Sequence, residues 1–258
     1  GCGKMGGAML SGWLEQGLSD AVVVEPHAAA VAAFTGRVRV VADAAAIPAD
    51  FRPAAVVTAI KPQEAPASLP AYARFSAQGA LFLTIMAGRS IASMQAALGA
   101  GTAVVRAMPN TPGAVGQGIS ARCSATPLAA ADAQIVDAIL SGLGPVIELP
   151  ESMFDAVTAV SGSGPGFFFE YVAAYEEAAV ALGFTPEQAK LLVRQTFSGS
   201  LALLAATGET PVNLRIQVTS PGGTTKAGLD AMEAGKFREI VASALIAAKQ
   251  RGEELGKK

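Results

Sequence analysis

One histidine, two cysteines and one tryptophan in 258 residues leave this chain poor in the groups that metal and thiol chemistry need. His27, Cys2 and Cys123 fall into no clustered spacing, so the usual structural zinc site cannot be built and no metal is expected. Charge is scarce as well: 16% of residues are charged and the formal net charge is −2. No basic block stands out, which argues against a nucleic-acid partner. Apolar residues make up 51% of the chain and the mean hydropathy is +0.41. Yet no apolar run of about 18 residues escapes a Gly, a Pro or a charge, so a membrane span is rejected. Much of the apolar excess is alanine in helical stretches, and a large subunit interface is a second outlet for it. Few cysteines and no leader pattern suggest the cytoplasm.

Glycine, by contrast, is placed with order. Gly1-Cys2-Gly3-Lys4-Met5-Gly6 has the G-x-G-x-x-G spacing and leads into an apolar helical pattern, Met9, Leu10, Trp13 and Leu14. In a dinucleotide-binding fold the first glycine makes the turn, the second admits the pyrophosphate and the third lets helix and strand pack closely. The run 21–24 then reads as the second strand and ends in Glu25, about 20 residues on, where an acid reaches a ribose hydroxyl. A glycine-rich tail is the plainer alternative. Residues of a first, central strand are expected upstream of Gly1. His27 is read as a surface residue.

Short apolar runs at 22–24, 38–41, 55–60, 80–86 and 103–107 alternate with alanine-rich helical stretches. That alternation predicts a parallel, doubly wound sheet, whose ligands bind beyond the C-terminal strand ends. The residues just after each run are therefore candidates: Glu25, Lys61-Pro62, Ala87-Gly88 and Asn110. Lys61 or its backbone would meet a ribose or phosphate, or Pro62 simply ends a strand. Ala87-Gly88 admits a flat ring or is a plain turn. Asn110, held between Pro109 and Pro112, orients a ligand or forms a turn. A strand at 117–123, a helix at 129–143 and a strand at 145–149 follow, and the domain boundary is placed at Pro150-Glu151, giving domains 1–150 and 151–258.

The second domain shows no strand pattern. The apolar stretch 154–160 is broken by Ser161-Gly162-Ser163-Gly164-Pro165. Helices are predicted at 167–182, from the Thr185-Pro186-Glu187-Gln188 start to 206, briefly after Thr210-Pro211, and at 238–254. Phe167-Phe168-Phe169 cannot all face one core; burial among several helices or a helix-swapped dimer interface would satisfy them. Ser220-Pro221-Gly222-Gly223-Thr224-Thr225-Lys226 precedes another helical pattern. Its glycines and the unpaired amides of a helix start form a pocket for a small anion such as a carboxylate. A helix start capped by Thr224 or Thr225 is the alternative.

Taken in order, Gly1-x-Gly3-x-Met5-Gly6, Ile60-Lys61-Pro62, 106–112 (Arg-Ala-Met-Pro-Asn-Thr-Pro), 161–165 and 220–225 span nearly the whole chain. In that order they resemble the pyrroline-5-carboxylate reductase family. The first motif is generic to nucleotide folds, whereas the last two are specific. The resemblance implies an N-terminal Rossmann-type doubly wound α/β domain and an all-helical C-terminal dimerisation domain that interlocks with a second subunit, often in a ring of dimers. It implies NADPH or NADH as hydride donor and 1-pyrroline-5-carboxylate, reduced to L-proline, as substrate, with the active site at the dimer interface.

Carried onto this sequence, the cofactor-binding residues are Gly1, Gly3, Lys4, Met5, Gly6, Glu25, Ala59, Ile60, Lys61, Pro62, Ala87, Gly88 and Asn110. Ser161 and Gly162 stand near the substrate, and Ser220, Gly222, Gly223, Thr224 and Thr225 hold its carboxylate and ring. Thr225 is the catalytic candidate, its hydroxyl hydrogen-bonding the imine nitrogen. Glu25 would repel a 2′-phosphate and so favours NADH, whereas the resemblance pulls the other way, since many members of the family accept both cofactors or prefer NADPH. Two other readings stay open: a β-hydroxyacid dehydrogenase, which wants a lysine that the 167–182 helix lacks, and a non-catalytic dinucleotide-sensing dimer.

Overall fold

The computed structural model describes residues 1–256. The chain forms two compact units, one of Gly1–Pro165 with the chain from Ala247, the other of Gly166–Ile246. The contact division thus falls after Pro165, later than the boundary placed at 150/151, because residues 151–165 stay with the sheet.

In the sheet unit, α1 (Lys4–Glu15) precedes a parallel pair, β1 (Val22–Val24) and β2 (Arg39–Val41). A five-stranded sheet follows in sequence order: β3 (Ala55–Thr58), β4 (Leu81–Thr84), β5 (Val104–Met108), β6 (Ser120–Ser124) and β7 (Val146–Glu148). Gly1 lies between the ends of β1 and β3: its nitrogen donates to the Val24 carbonyl at 3.0 Å, and a Cβ there would stand 2.6 Å from the Ala59 carbonyl oxygen. Helices α2 (Ile91–Leu98) and α3 (Ala130–Ser141) complete the layers.

Every residue of β4 and β5 is buried, which is why those runs read as continuously apolar. Successive side chains point to opposite faces. Phe82 packs with Met94 and Phe154 on one face, while Leu81 and Leu83 pack with Met9, Val136 and Leu140 on the other. Ile91, Met94 and Leu98 recur at helical spacing and turn one stripe of α2 to the sheet. Burying each such side chain stabilises the fold by about 1.5–3 kcal/mol.

One pairing departs from the parallel expectation: β6 runs antiparallel to β5. The link between them holds only a 3₁₀ turn, Thr111–Val115, and is too short for the crossover that parallel strands need.

Residues 161–165 do not break the helix, contrary to the sequence reading. The Ser163 amide donates to the Thr158 carbonyl at 2.7 Å, a single wide π-turn that joins the Phe154–Val157 helix to α4 (Gly164–Ala181).

The helical unit contains α5 (Pro186–Thr207), α6 (Pro211–Gln217) and α7 (Thr224–Ala234), with most of α4 and the first half of α8 (Phe237–Gly256). Thr185 and Gln188 form the predicted capping box, with bonds of 3.2 and 2.9 Å. Its own core is small, namely Ala179, Ala189 and Val193. Phe169 is 62% exposed and Leu191 70%, so the aromatic block is not buried among helices of its own chain.

Candidate cofactor and substrate loops

The predicted glycine loop does run between strand ends into the start of a helix. Gly6 has no room for a side chain: a Cβ there would stand 2.5 Å from the Gly1 carbonyl oxygen and 3.1 Å from Ala59 Cβ. A Cβ on Gly3 would meet nothing within 4 Å. Gly3 is also the N-cap of α1 and caps it with no side chain, so the first amides of α1 have no side-chain acceptor. Lys4 is exposed at the first helical position and Met5 packs toward the sheet. The open side of this loop, with the positive end of the helix dipole behind it, fits a pyrophosphate.

Glu25 stands at the end of β1 and grips the same loop. Its Oε2 accepts from the Cys2 amide at 2.7 Å, and its Oε1 accepts from the His27 amide at 3.0 Å and lies 3.0 Å from His27 Nδ1. Burial works against the charged carboxylate, but these hydrogen bonds overcome it and hold the Glu25 carboxyl below its usual range. The His27 ring is largely exposed, as predicted. Cys2 is buried beside Leu10, Val31 and Phe34, and burial pushes its thiol up, so it remains protonated at neutral pH. It serves there as a small core residue.

Beyond β3, Ala59 and Ile60 line Gly1, Lys61 is exposed and Pro62 is half-buried. Beyond β4, Ala87 is exposed and Gly88 adopts φ +70°, which favours glycine. A Cβ on Gly88 would also come within 3.4 Å of the Gly256 nitrogen, because the end of α8 packs there. Sequence reasoning passed over the next residue. Arg89 donates from Nε and Nη2 to the Pro62 carbonyl, at 3.1 and 2.7 Å.

Asn110 is buried, and its Oδ1 accepts from the Ile119 amide at 2.9 Å, closing the loop between β5 and β6. Its carbonyl oxygen is thus engaged as a turn-former. The π-turn brings Ser161 and Gly162 to the same strand end: a Gly162 Cβ would lie 3.9 Å from Met108 Sδ. The Ser161 hydroxyl donates to its own helix, at the Val157 carbonyl, 3.1 Å away. Arg106 supports this corner and had no role assigned from sequence. Its Nη1 is 3.2 Å from Glu151 Oε1, and its guanidinium stacks 4.7 Å from the Phe154 ring centre. Glu151 Oε1 also accepts from the Ile91 amide at 2.8 Å, which ties the start of α2 to this corner.

In the helical unit, residues 220–226 form a tight turn into α7. Gly222 adopts φ +69°, and the Gly223 amide donates to the Ser220 carbonyl at 3.0 Å. Gly223 is the N-cap, and no side chain caps the helix, so the Thr224 or Thr225 cap is not what forms. The Ala227 amide closes the first helical turn on the Gly223 carbonyl at 3.1 Å, and the Thr224 and Thr225 side chains are exposed. Lys226 is ion-paired to Asp230. The result is a helix start whose open amides begin at Thr224 and whose two threonine hydroxyls have no partner among the described residues, suited to a small carboxylate.

Residues 151–255 match the family described as pyrroline-5-carboxylate reductase dimerisation, and residues 1–88 match NADP oxidoreductase coenzyme F420-dependent. A pyrroline-5-carboxylate reductase of Mycobacterium tuberculosis is 40% identical, over 99% of this chain and 95% of the relative. The solved pyrroline-5-carboxylate reductase of Coxiella burnetii superposes with TM-score 0.89 at 30% identity, covering 100% of this chain and 97% of that one. The pyrroline carboxylate reductase of Plasmodium falciparum, solved with NADP bound, gives TM-score 0.88 at 26% identity, over 99% and 96%.

Proposed function

The chain belongs to the pyrroline-5-carboxylate reductase family, and from that premise we propose how its own residues divide the reaction. The protein is an oxidoreductase that reduces 1-pyrroline-5-carboxylate to L-proline with NAD(P)H, the last step of proline biosynthesis. The observation that carries our site assignment is the pair of helix starts, α1 and α7, each opened by glycine and left without a side-chain cap.

The first takes the pyrophosphate. Gly1, Gly3 and Gly6 let the backbone approach, Lys4 and Met5 open the helix, and Glu25 holds the loop through the Cys2 amide. Ala59, Ile60, Lys61, Pro62, Ala87, Gly88 and Asn110 line the strand ends where the rest of the dinucleotide lies. When bound, the nicotinamide supplies the hydride. The second helix start takes the substrate: the amides of Thr224 and Thr225 fix the carboxylate, the Gly223 amide already donating to the Ser220 carbonyl, with Ser220, Gly222 and Gly223 shaping the turn; we assign Ser161 and Gly162 to the substrate as well. Reduction of C=N adds a hydride to carbon and a proton to nitrogen, and a protonated imine is already electrophilic. The protein therefore contributes mainly binding and orientation. Thr225 Oγ holds the nitrogen in register; a threonine hydroxyl is a poor acid, so positioning outranks proton donation.

The test is loss of NADH and NADPH absorbance on adding racemic pyrroline-5-carboxylate, with proline identified as product. No oxidation by a protein that still binds cofactor would overturn the reading. The same assay checks Glu25. Glu25→Ser raises the NADPH-to-NADH rate ratio about tenfold, since it removes the charge that opposes a 2′-phosphate. A wild type with strong NADPH preference would count against Glu25 at the ribose.

Self-association follows from the dimerisation family and from the open apolar faces of α4 and α5. We read it as a homodimer or a ring of dimers in the cytoplasm, with no nucleic-acid or membrane partner. Among the described residues no helix is long and apolar enough to cross a membrane. Wild type sediments well above its 25.9 kDa protomer mass, and Phe169→Glu shifts it toward that mass. An unchanged sedimentation coefficient would remove Phe169 from the interface.

A further inference from the structure

We infer that Arg89 is a positioning residue for the cofactor, clamping the loop after β3 to the turn after β4. The inference rests on the reading of these strand ends as the dinucleotide site. The β3–β4 ladder pairs Thr58 with Thr84, and the Ile85 amide still reaches the Thr58 carbonyl at 3.3 Å. Beyond that point the backbone ladder ends, and one strand leads into Lys61-Pro62, the other into Ala87-Gly88. Among the described residues, the hydrogen bonds that rejoin them come from Arg89, whose Nε and Nη2 converge on the Pro62 carbonyl at 3.1 and 2.7 Å.

The geometry suits this task. A guanidinium is planar and presents its donors in a fixed fork, so two bonds to one oxygen set direction as well as distance. The Pro62 carbonyl sits in the turn that starts the next helix, where the Ala65 amide also approaches it at 3.4 Å. Pro62 and Arg89 are both half-buried, which protects the clamp from competing water. Gly88, held at φ +70° against the end of α8, fixes the other side. Arg89 forms no ion pair among the described residues, so its charge is left at the strand ends, where an anionic dinucleotide is favoured.

The experiment compares wild type, Arg89→Ala and Arg89→Lys. Each is scored for NADPH KM and pyrroline-5-carboxylate KM, for melting temperature, and for NADPH Kd by energy transfer from Trp13. Arg89→Ala raises both the KM and the Kd for NADPH about tenfold, while pyrroline-5-carboxylate KM stays within about twofold. Arg89→Lys, which keeps the charge and one donor, recovers part of the loss. A fall in melting temperature with unchanged NADPH KM and Kd would make Arg89 merely structural and overturn the inference. Should Arg89→Ala fail to fold, Arg89→Gln carries the same comparison. An inactive wild type would sink the proposed reaction, whereas the Kd values would still decide the role of Arg89.

Discussion

Thr225→Ala lowers turnover of pyrroline-5-carboxylate about a hundredfold and leaves NADPH affinity within about twofold of wild type. The size follows from what the hydroxyl does in our assignment. It is the side-chain group placed on the imine nitrogen, the atom whose charge and hydrogen count change during reduction. Losing one well-placed donor or acceptor at such an atom costs about 2.7 kcal/mol of barrier, which is about a hundredfold in rate. The variant is clean on the structural side. Thr225 is exposed in the first turn of α7, caps nothing, and makes no side-chain hydrogen bond among the described residues. Alanine is the better helix former, so melting temperature is unchanged or slightly higher. Every residue assigned to the dinucleotide lies in the sheet unit, so cofactor binding is spared. Thr225→Ser keeps the hydroxyl and recovers most of the turnover. Near-normal turnover in the alanine variant removes Thr225 from the mechanism.

The contrast between what was readable and what was not is physical. β4 and β5 were legible because both their faces are buried, which writes a continuous apolar run into the sequence. The capping box at Thr185 was legible because its two bonds join residues three apart. Strand direction was not: the antiparallel β6 is set by the length of the link before it, which the run itself does not record. The π-turn was hidden behind two glycines and a proline that look like breakers. Pro165 falls in the first turn of α4, where a missing amide costs little, so the helix carries on. In the site, positions read better than partners. Glu25 was placed at the strand end from spacing alone, but its bond to the Cys2 amide depends on how β1 meets the glycine loop. Arg89 reaches a carbonyl 27 positions away and Arg106 a carboxylate 45 away, separations that no local pattern encodes.

Gly3→Ala weakens NADPH binding about a hundredfold and leaves the fold untouched, whereas Gly6→Ala damages both. The two glycines belong to one motif but meet different surroundings. Gly3 has φ −68° and ψ −165°, a conformation open to any residue, and a Cβ there would meet nothing within 4 Å. Its methyl therefore strains nothing in the free protein. In our assignment it occupies the space in which the pyrophosphate comes against the backbone, so the penalty is paid only on binding. At Gly6 the added carbon would stand 2.5 Å from the Gly1 carbonyl oxygen, so α1 must shift away from the end of β3. That shift also loosens Met9 and Leu10, both buried. Denaturant midpoints separate the cases: Gly3→Ala matches wild type and Gly6→Ala falls. Energy transfer from Trp13, on α1, reads NADPH binding in each variant without substrate. Wild-type affinity in Gly3→Ala would mean that the open face of this loop does not hold the pyrophosphate, and the assignment of the α1 helix start to the cofactor would fall with it.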